Sequence, residues 1–351
     1  MNSLHNLQRL FTGKRLLIPV ALGLAVAIYF FLKDFQPDAF DTIQWGPDTL
    51  LWIGLSVLML FLRLVAYANR LRVLSEEKIS WAGSFKLIVL WEFSSAISPG
   101  IVGGTAAAFV LIAQEKNLNT GQSTALVLAT AYLDVLFYVL AIPILLAFTG
   151  LRSLVPESIG ILDQDVLITY IGVAYCLFFA WASILYIGLF IRPAFVGKLA
   201  VLLFRLPFLK RWKSKAKQWS YEIEIAAKEF KSKPFTFWIQ GFGATVFAWT
   251  ARFALVNFLI LGLGNGVAVL SIFAKQLVMW GALMIPLTPG ASGMAELLFI
   301  SFLGDYFSNV SLANTTAVIW RLVSYYPYLI AGVIVFPIWL RERIKIRASR
   351  V

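Results

Sequence analysis

The sequence predicts an all-α polytopic membrane protein, with six full spans and two re-entrant helical hairpins arranged as an inverted repeat. Three features predict it: the composition, the spacing of apolar runs, and the charge asymmetry of the segments that join them. Of 351 residues, 60% are hydrophobic and 14% charged, with a mean hydropathy of +0.81. The apolar share is well above that of a soluble domain and the charged share well below it, so the bilayer is the solvent for most of the chain.

A helix needs about 20 mostly apolar residues to cross about 30 Å of hydrocarbon. Apolar runs near that length fall at 16–32, 49–68, 122–148, 166–191, 234–261 and 312–340. The first passes into an acidic stretch without a small-residue cleavage site, which predicts a retained span rather than a removed signal. Two more apolar segments, 82–113 and 267–304, are interrupted by Ser98-Pro99-Gly100 and by Pro286-Leu287-Thr288-Pro289-Gly290. Proline removes a backbone donor and crowds the preceding turn, so each segment reads as two half-helices around a break.

Charge decides whether the broken segments cross. Cytoplasmic segments collect Lys and Arg. If both segments turn back, 1–15, 69–81, 114–121, 192–233 and 341–351 share one side, while the acidic 33–48, 149–165 and Asp305 share the other. Making the first a crossing would export 192–233, which holds eleven Lys or Arg against three Glu. Making only the second a crossing would export the basic tail. Two re-entrant hairpins entering from opposite faces, with both termini cytoplasmic, reconcile the charges.

The breaks share a pattern, Pro99-Gly100-Ile101-Val102-Gly103 and Pro289-Gly290-Ala291-Ser292-Gly293. Arg63 precedes Pro99 by 36 residues and Arg252 precedes Pro289 by 37; Asp134 and Arg321 follow on the next spans. Segments 49–148 and 234–340 are thus predicted to be inverted halves whose breaks meet near the midplane, as in many transporters. Each second half-helix, starting near Gly104 and near Met294, should present free N–H groups and partial positive charge to an anion. Gly100, Gly103, Gly290 and Gly293 would let a ligand approach the backbone. Irregular backbone at that depth implies a cavity.

Eight ionisable residues fall inside apolar segments: Arg63, Lys86, Glu92, Asp134, Arg252, Lys275, Glu296 and Arg321. Each costs roughly 2.5–3.5 kcal/mol at the bilayer centre unless partnered. Lys86 and Arg63 lie near enough to span ends to snorkel to the surface. For the rest two readings stand. One is a structural ion-pair network. The other is a polar pathway in which Arg252, Arg321 and Lys275 hold a phosphate while Glu92, Asp134 and Glu296 take a cationic group or a proton.

Several chemistries are excluded. The single histidine, His5, lies in a polar N-terminal tail, and the single cysteine, Cys176, in an apolar run where it should be an inert packing residue. Histidine- and thiolate-based catalysis or metal binding is therefore not expected, nor is any cofactor. The 192–233 segment reads as an apolar interfacial helix followed by a basic one, suited to anionic lipid surfaces; no nucleic-acid motif accompanies the charge.

Pro286-Leu287-Thr288-Pro289-Gly290-Ala291-Ser292-Gly293-Met294-Ala295-Glu296, followed by Arg321, Tyr325 and Gly332, resembles the lysylphosphatidylglycerol synthase transmembrane region family over essentially the whole chain. The first break lacks the charges common in that family, and Thr130 and Ala131 stand where an acidic–Arg pair precedes the aspartate. In two-domain relatives a cytoplasmic aminoacyltransferase makes the lipid that the membrane part translocates. These 351 residues leave no room for that domain. The resemblance therefore implies a flippase-like protein for a phospholipid, aminoacylated lipid or polyprenyl-phosphate-linked lipid, with anionic membrane lipids and a separate lipid-modifying enzyme as partners. No ATP-binding loop is present. Two alternatives remain, an intramembrane enzyme acting on a lipid phosphate and a secondary transporter of a small organic anion.

Overall fold

The computed structural model describes residue 41 and residues 43–98, 100–115, 117–192, 194, 213–265, 268–283 and 293–348. The expected first span 16–32, most of the apolar stretch 194–209, Pro99, Pro289 and Gly290 lie outside them.

Helix α1 (Pro47–Leu74) starts with proline in its first turn, where the missing N–H costs nothing. It is followed by α2 (Trp81–Ile97), α3 (Gly100–Ile112) and α4 (Thr120–Thr149), the last closed by a reciprocal cap between Asn119 and Gln122. Asp163 caps α5 (Gln164–Tyr186), which ends in a π-helical turn, Ile187–Ile191. Then come the basic helix α6 (Lys213–Lys231), α7 (Phe235–Leu263), α8 (Val269–Ala282), α9 (Met294–Leu303), α10 (Val310–Ser324) and α11 (Tyr326–Ala348). One departure from an all-helical chain is a two-residue antiparallel pair, Ser158–Ile159 with Leu162–Asp163, in the loop before α5.

Five stretches among the described residues are long and apolar enough to cross a membrane: Pro47–Leu74, Thr120–Thr149, Gln164–Ile191, Phe235–Leu263 and Val310–Arg343. They coincide with five of the six expected runs, most ends agreeing to within a few residues. The last is not one straight helix. Tyr325 leaves the helical path at φ −115°, ψ −54°, and Pro327, which has no N–H to offer the preceding turn, starts the next helix.

Helices α1 and α7 form the most extensive pair, and their polar contacts fix its direction. Thr49 Oγ1 donates to Gly262 O at 3.3 Å and Ser56 Oγ to Leu255 O at 3.0 Å. At the other end Leu74 packs over Gly241. One number rises as the other falls, so the helices are antiparallel along their whole length.

Helices α2 and α3 pack as a hairpin, and Asn117 Nδ2 just after it donates to Lys78 O just before it, at 3.1 Å. After the second pair, α8 and α9, Tyr306 O accepts from Asn265 N–H at 2.7 Å. The four helices have 17, 13, 14 and 10 residues, about 15–26 Å each at 1.5 Å per residue, too short to cross alone. The mouth of the first hairpin joins α6 and the end of α11, through Lys233–Glu76 and Lys86–Glu342, both 2.7 Å, and a contact between Arg343 and Glu115. The mouth of the second shares a hydrophobic core with Ile43, Leu154, Val155 and Leu263. The hairpins therefore open at opposite ends of the α1–α7 pair.

Candidate functional site

Arg63 and Arg252 occupy the middle of the antiparallel α1–α7 contact, within electrostatic reach of each other. Their surroundings differ. Arg63 is 2% exposed, pairs with Glu92 at 2.6 Å and lies beside the rings of Tyr67 and Tyr328. The expected snorkelling is not what the side chain does: it is buried against Glu92, on a helix that continues for eleven residues past it, to Leu74, instead of ending near 68.

The same extension reveals a residue that the sequence reading assigned to a loop. Arg70 is buried on α1 and grips both Asp134 oxygens, at 2.5 and 3.2 Å. Its Nη1 also donates to Thr245 Oγ1, and Trp249 Nε1 donates to Asp134 Oδ1 at 2.9 Å. Two signals pointed to it: Arg63, Tyr67 and Arg70 follow helical spacing on one face, and Asp134 needed a cation.

Arg321 Nε pairs with Glu296 Oε1 at 2.8 Å. The other carboxylate oxygen accepts from the Gly293 N–H at 2.7 Å, closing the start of α9, where Gly293 takes φ +83°. Tyr325 lies against the Arg321 guanidinium, and its hydroxyl donates to Ala96 O at 3.0 Å. One line of contacts thus joins the start of α9 to the end of α2, the inner ends of both hairpins. Lys275 lies apart from this group, paired with Asp305 at 3.3 Å at the mouth of the second hairpin.

Arg252 is the exception. Among the described residues it has neither a hydrogen bond nor a salt bridge of its own, the carboxylate in electrostatic reach being Glu92, which Arg63 already holds; its guanidinium is stacked 3.8 Å from the ring centre of Trp280, with Trp249 at 5.2 Å. The sequence before the two breaks differs at one matching place. Glu92 stands seven residues before Pro99, whereas seven before Pro289 is Ala282.

The expected N-terminus near Gly104 is displaced. Helix α3 resumes at Gly100, directly after Pro99, so Gly100 and Gly103 lie in its first turn. A Cβ on Gly104 would overlap Ser95, so that glycine serves the close approach of α2 and α3 rather than a ligand. Cys176 is exposed on α5 rather than packed inside.

Apolar crossing helices around a polar interior of paired arginines and carboxylates define a multi-pass membrane protein. The chain belongs to the family of the lysylphosphatidylglycerol synthase TM region, the match spanning residues 16–332. It is 24% identical over 328 residues to a "UPF0104 membrane protein" of Archaeoglobus fulgidus, covering 91% of this chain and 95% of that protein. No solved structure matches it.

Proposed function

We propose that this protein carries the phosphate-bearing headgroup of a lipid across the cytoplasmic membrane, with Arg252 as the anchoring cation and Arg321 beside the inner ends of the hairpins. The observation that carries the reading is the lack of a salt bridge or hydrogen bond on Arg252 among the described residues, with Glu92 in its reach already held by Arg63. An arginine at membrane depth needs a partner or water, and a phosphate oxygen pair matches the edge of its planar fork while Trp280 covers one face. In this reading the basic end of the bundle faces the cytoplasm, the hairpins are re-entrant, and 49–148 and 234–340 are the inverted halves that rock to expose the site alternately. The family's association with a lipid synthase supports a lipid as cargo.

The test is purified protein in liposomes containing fluorescent phosphatidylglycerol, with a membrane-impermeant quencher reading the exposed leaflet. Arg252→Lys and Arg321→Lys keep the charge and remove the fork. Each should slow lipid movement about tenfold, with the recovered lipid chemically unchanged. Parental rates in both variants would count against the assigned role, and altered lipid would favour an enzyme.

A further inference from the structure

We infer that the interior site selects lipids whose headgroup carries net negative charge and turns away aminoacylated, cationic headgroups. This rests on the reading of the protein as a lipid carrier and narrows it.

The argument is a charge balance. Four arginines and three carboxylates line the interior. Glu92 is taken by Arg63, Asp134 by Arg70 and Trp249, and Glu296 by Arg321 and the Gly293 N–H. Toward the two ends, Lys86 is matched by Glu342 and Lys275 by Asp305. Arg252 alone is left over among the described residues. The apolar segments outside the described residues add no carboxylate, because 16–32 and 284–292 contain no charged side chain and 193–212 contain no acidic one. Among the described residues the interior therefore holds one surplus positive charge, which a single phosphodiester neutralises.

A lysyl ester of phosphatidylglycerol brings two ammonium groups with its phosphate. Each would need a carboxylate, and all three are engaged. Taking Glu92 would strand Arg63, which is 2% exposed, and taking Asp134 would strand Arg70, 4% exposed. An uncompensated buried charge is more destabilising than the pair it came from is stabilising. Placing the ammonium near Arg252 instead sets it against a like charge that has no salt bridge of its own among the described residues. The phosphate and the aminoacyl group thus make opposite demands, and the site meets only the first.

The experiment compares phosphatidylglycerol with its lysyl ester at equal mole fraction in liposomes containing the full chain. The parent should move phosphatidylglycerol at least about tenfold faster and retain it preferentially in native mass spectrometry. Arg252→Glu, which turns the surplus charge negative, should erase or invert that preference. A millimolar excess of glycerophosphoglycerol should leave the rate unchanged; full competition by it would mean that the site takes a soluble phosphodiester, overturning the lipid assignment. Equal rates and equal retention of both lipids by the parent would overturn the selectivity while leaving the carrier reading intact. Movement of neither lipid would remove the carrier reading itself.

Discussion

Arg252→Met should stabilise the protein while removing its transport. An unneutralised arginine at the centre of the bilayer costs roughly 2.5–3.5 kcal/mol on insertion scales. Its contact with Trp280 at 3.8 Å returns up to about 2 kcal/mol when desolvated. The balance, about 1 kcal/mol, is regained when an unbranched apolar side chain takes its place, and more if repulsion from Arg63 is relieved. Arg63→Met should do the reverse. It strands Glu92, whose side chain is only 25% exposed, and breaking such a pair costs about 3 kcal/mol or more. Both variants would be measured by reversible denaturant unfolding in one detergent and by lipid movement in liposomes. The expected result is opposite stability changes with loss of movement in Arg252→Met. Destabilisation of Arg252→Met by more than about 1 kcal/mol would show that this arginine holds the fold together, and the binding argument would fail.

A double-mutant cycle on Arg70→Gln and Asp134→Asn should show strong coupling, each single change costing about 3 kcal/mol and the pair clearly less than their sum; additivity within about 0.5 kcal/mol would sink the assigned pair. At the basic end, the hydrogen bond from Lys233 holds the Glu76 carboxyl below its ordinary range. Its depressed value means that the contact is present at neutral pH and is lost as pH falls through that lowered pKa, below the ordinary carboxylate range. The protection factors of amides in 213–233, taken against the intrinsic exchange rate at each pH, should then fall in acid, and Glu76→Gln should show at pH 7 the lowered protection that the parent reaches only there; parental protection in that variant would refute the clamp. In a chain lacking Cys176, single cysteines at Asn117 and Lys215 should both resist an impermeant thiol reagent in intact cells. Labelling at Asn117 but not at Lys215 would break the re-entrant reading of α2 and α3.

What the sequence made legible follows the range of the interactions involved. Apolar run length is local, and the runs at 122–148, 166–191 and 234–261 anticipate α4, the α5 stretch and α7 to within a few residues. Local rules failed where tertiary contacts decide. The apolar run stops at 68, ahead of Arg70 and Arg72, yet Arg70 is buried against Asp134, 64 positions away. The break at Tyr325 had one local sign, Pro327 two residues on, but the contact that fixes its place is with Ala96, 229 positions earlier. Intramembrane charges were visible as a set, but their pairing was not, since Arg63–Glu92 and Arg321–Glu296 depend on which helix faces which. The recurrence of an arginine before each Pro-Gly break did carry over into space. Arg63 and Arg252 meet at the centre of the α1–α7 contact because antiparallel helices in this register bring their midpoints together. Their difference was also written in the chain, as Glu92 before one break and Ala282 at the matching place before the other. The antiparallel α1–α7 register brings the two arginines together while, among the described residues, only Arg63 has a carboxylate bound to it, and in the proposed function that inequality is where a ligand's charge has a place.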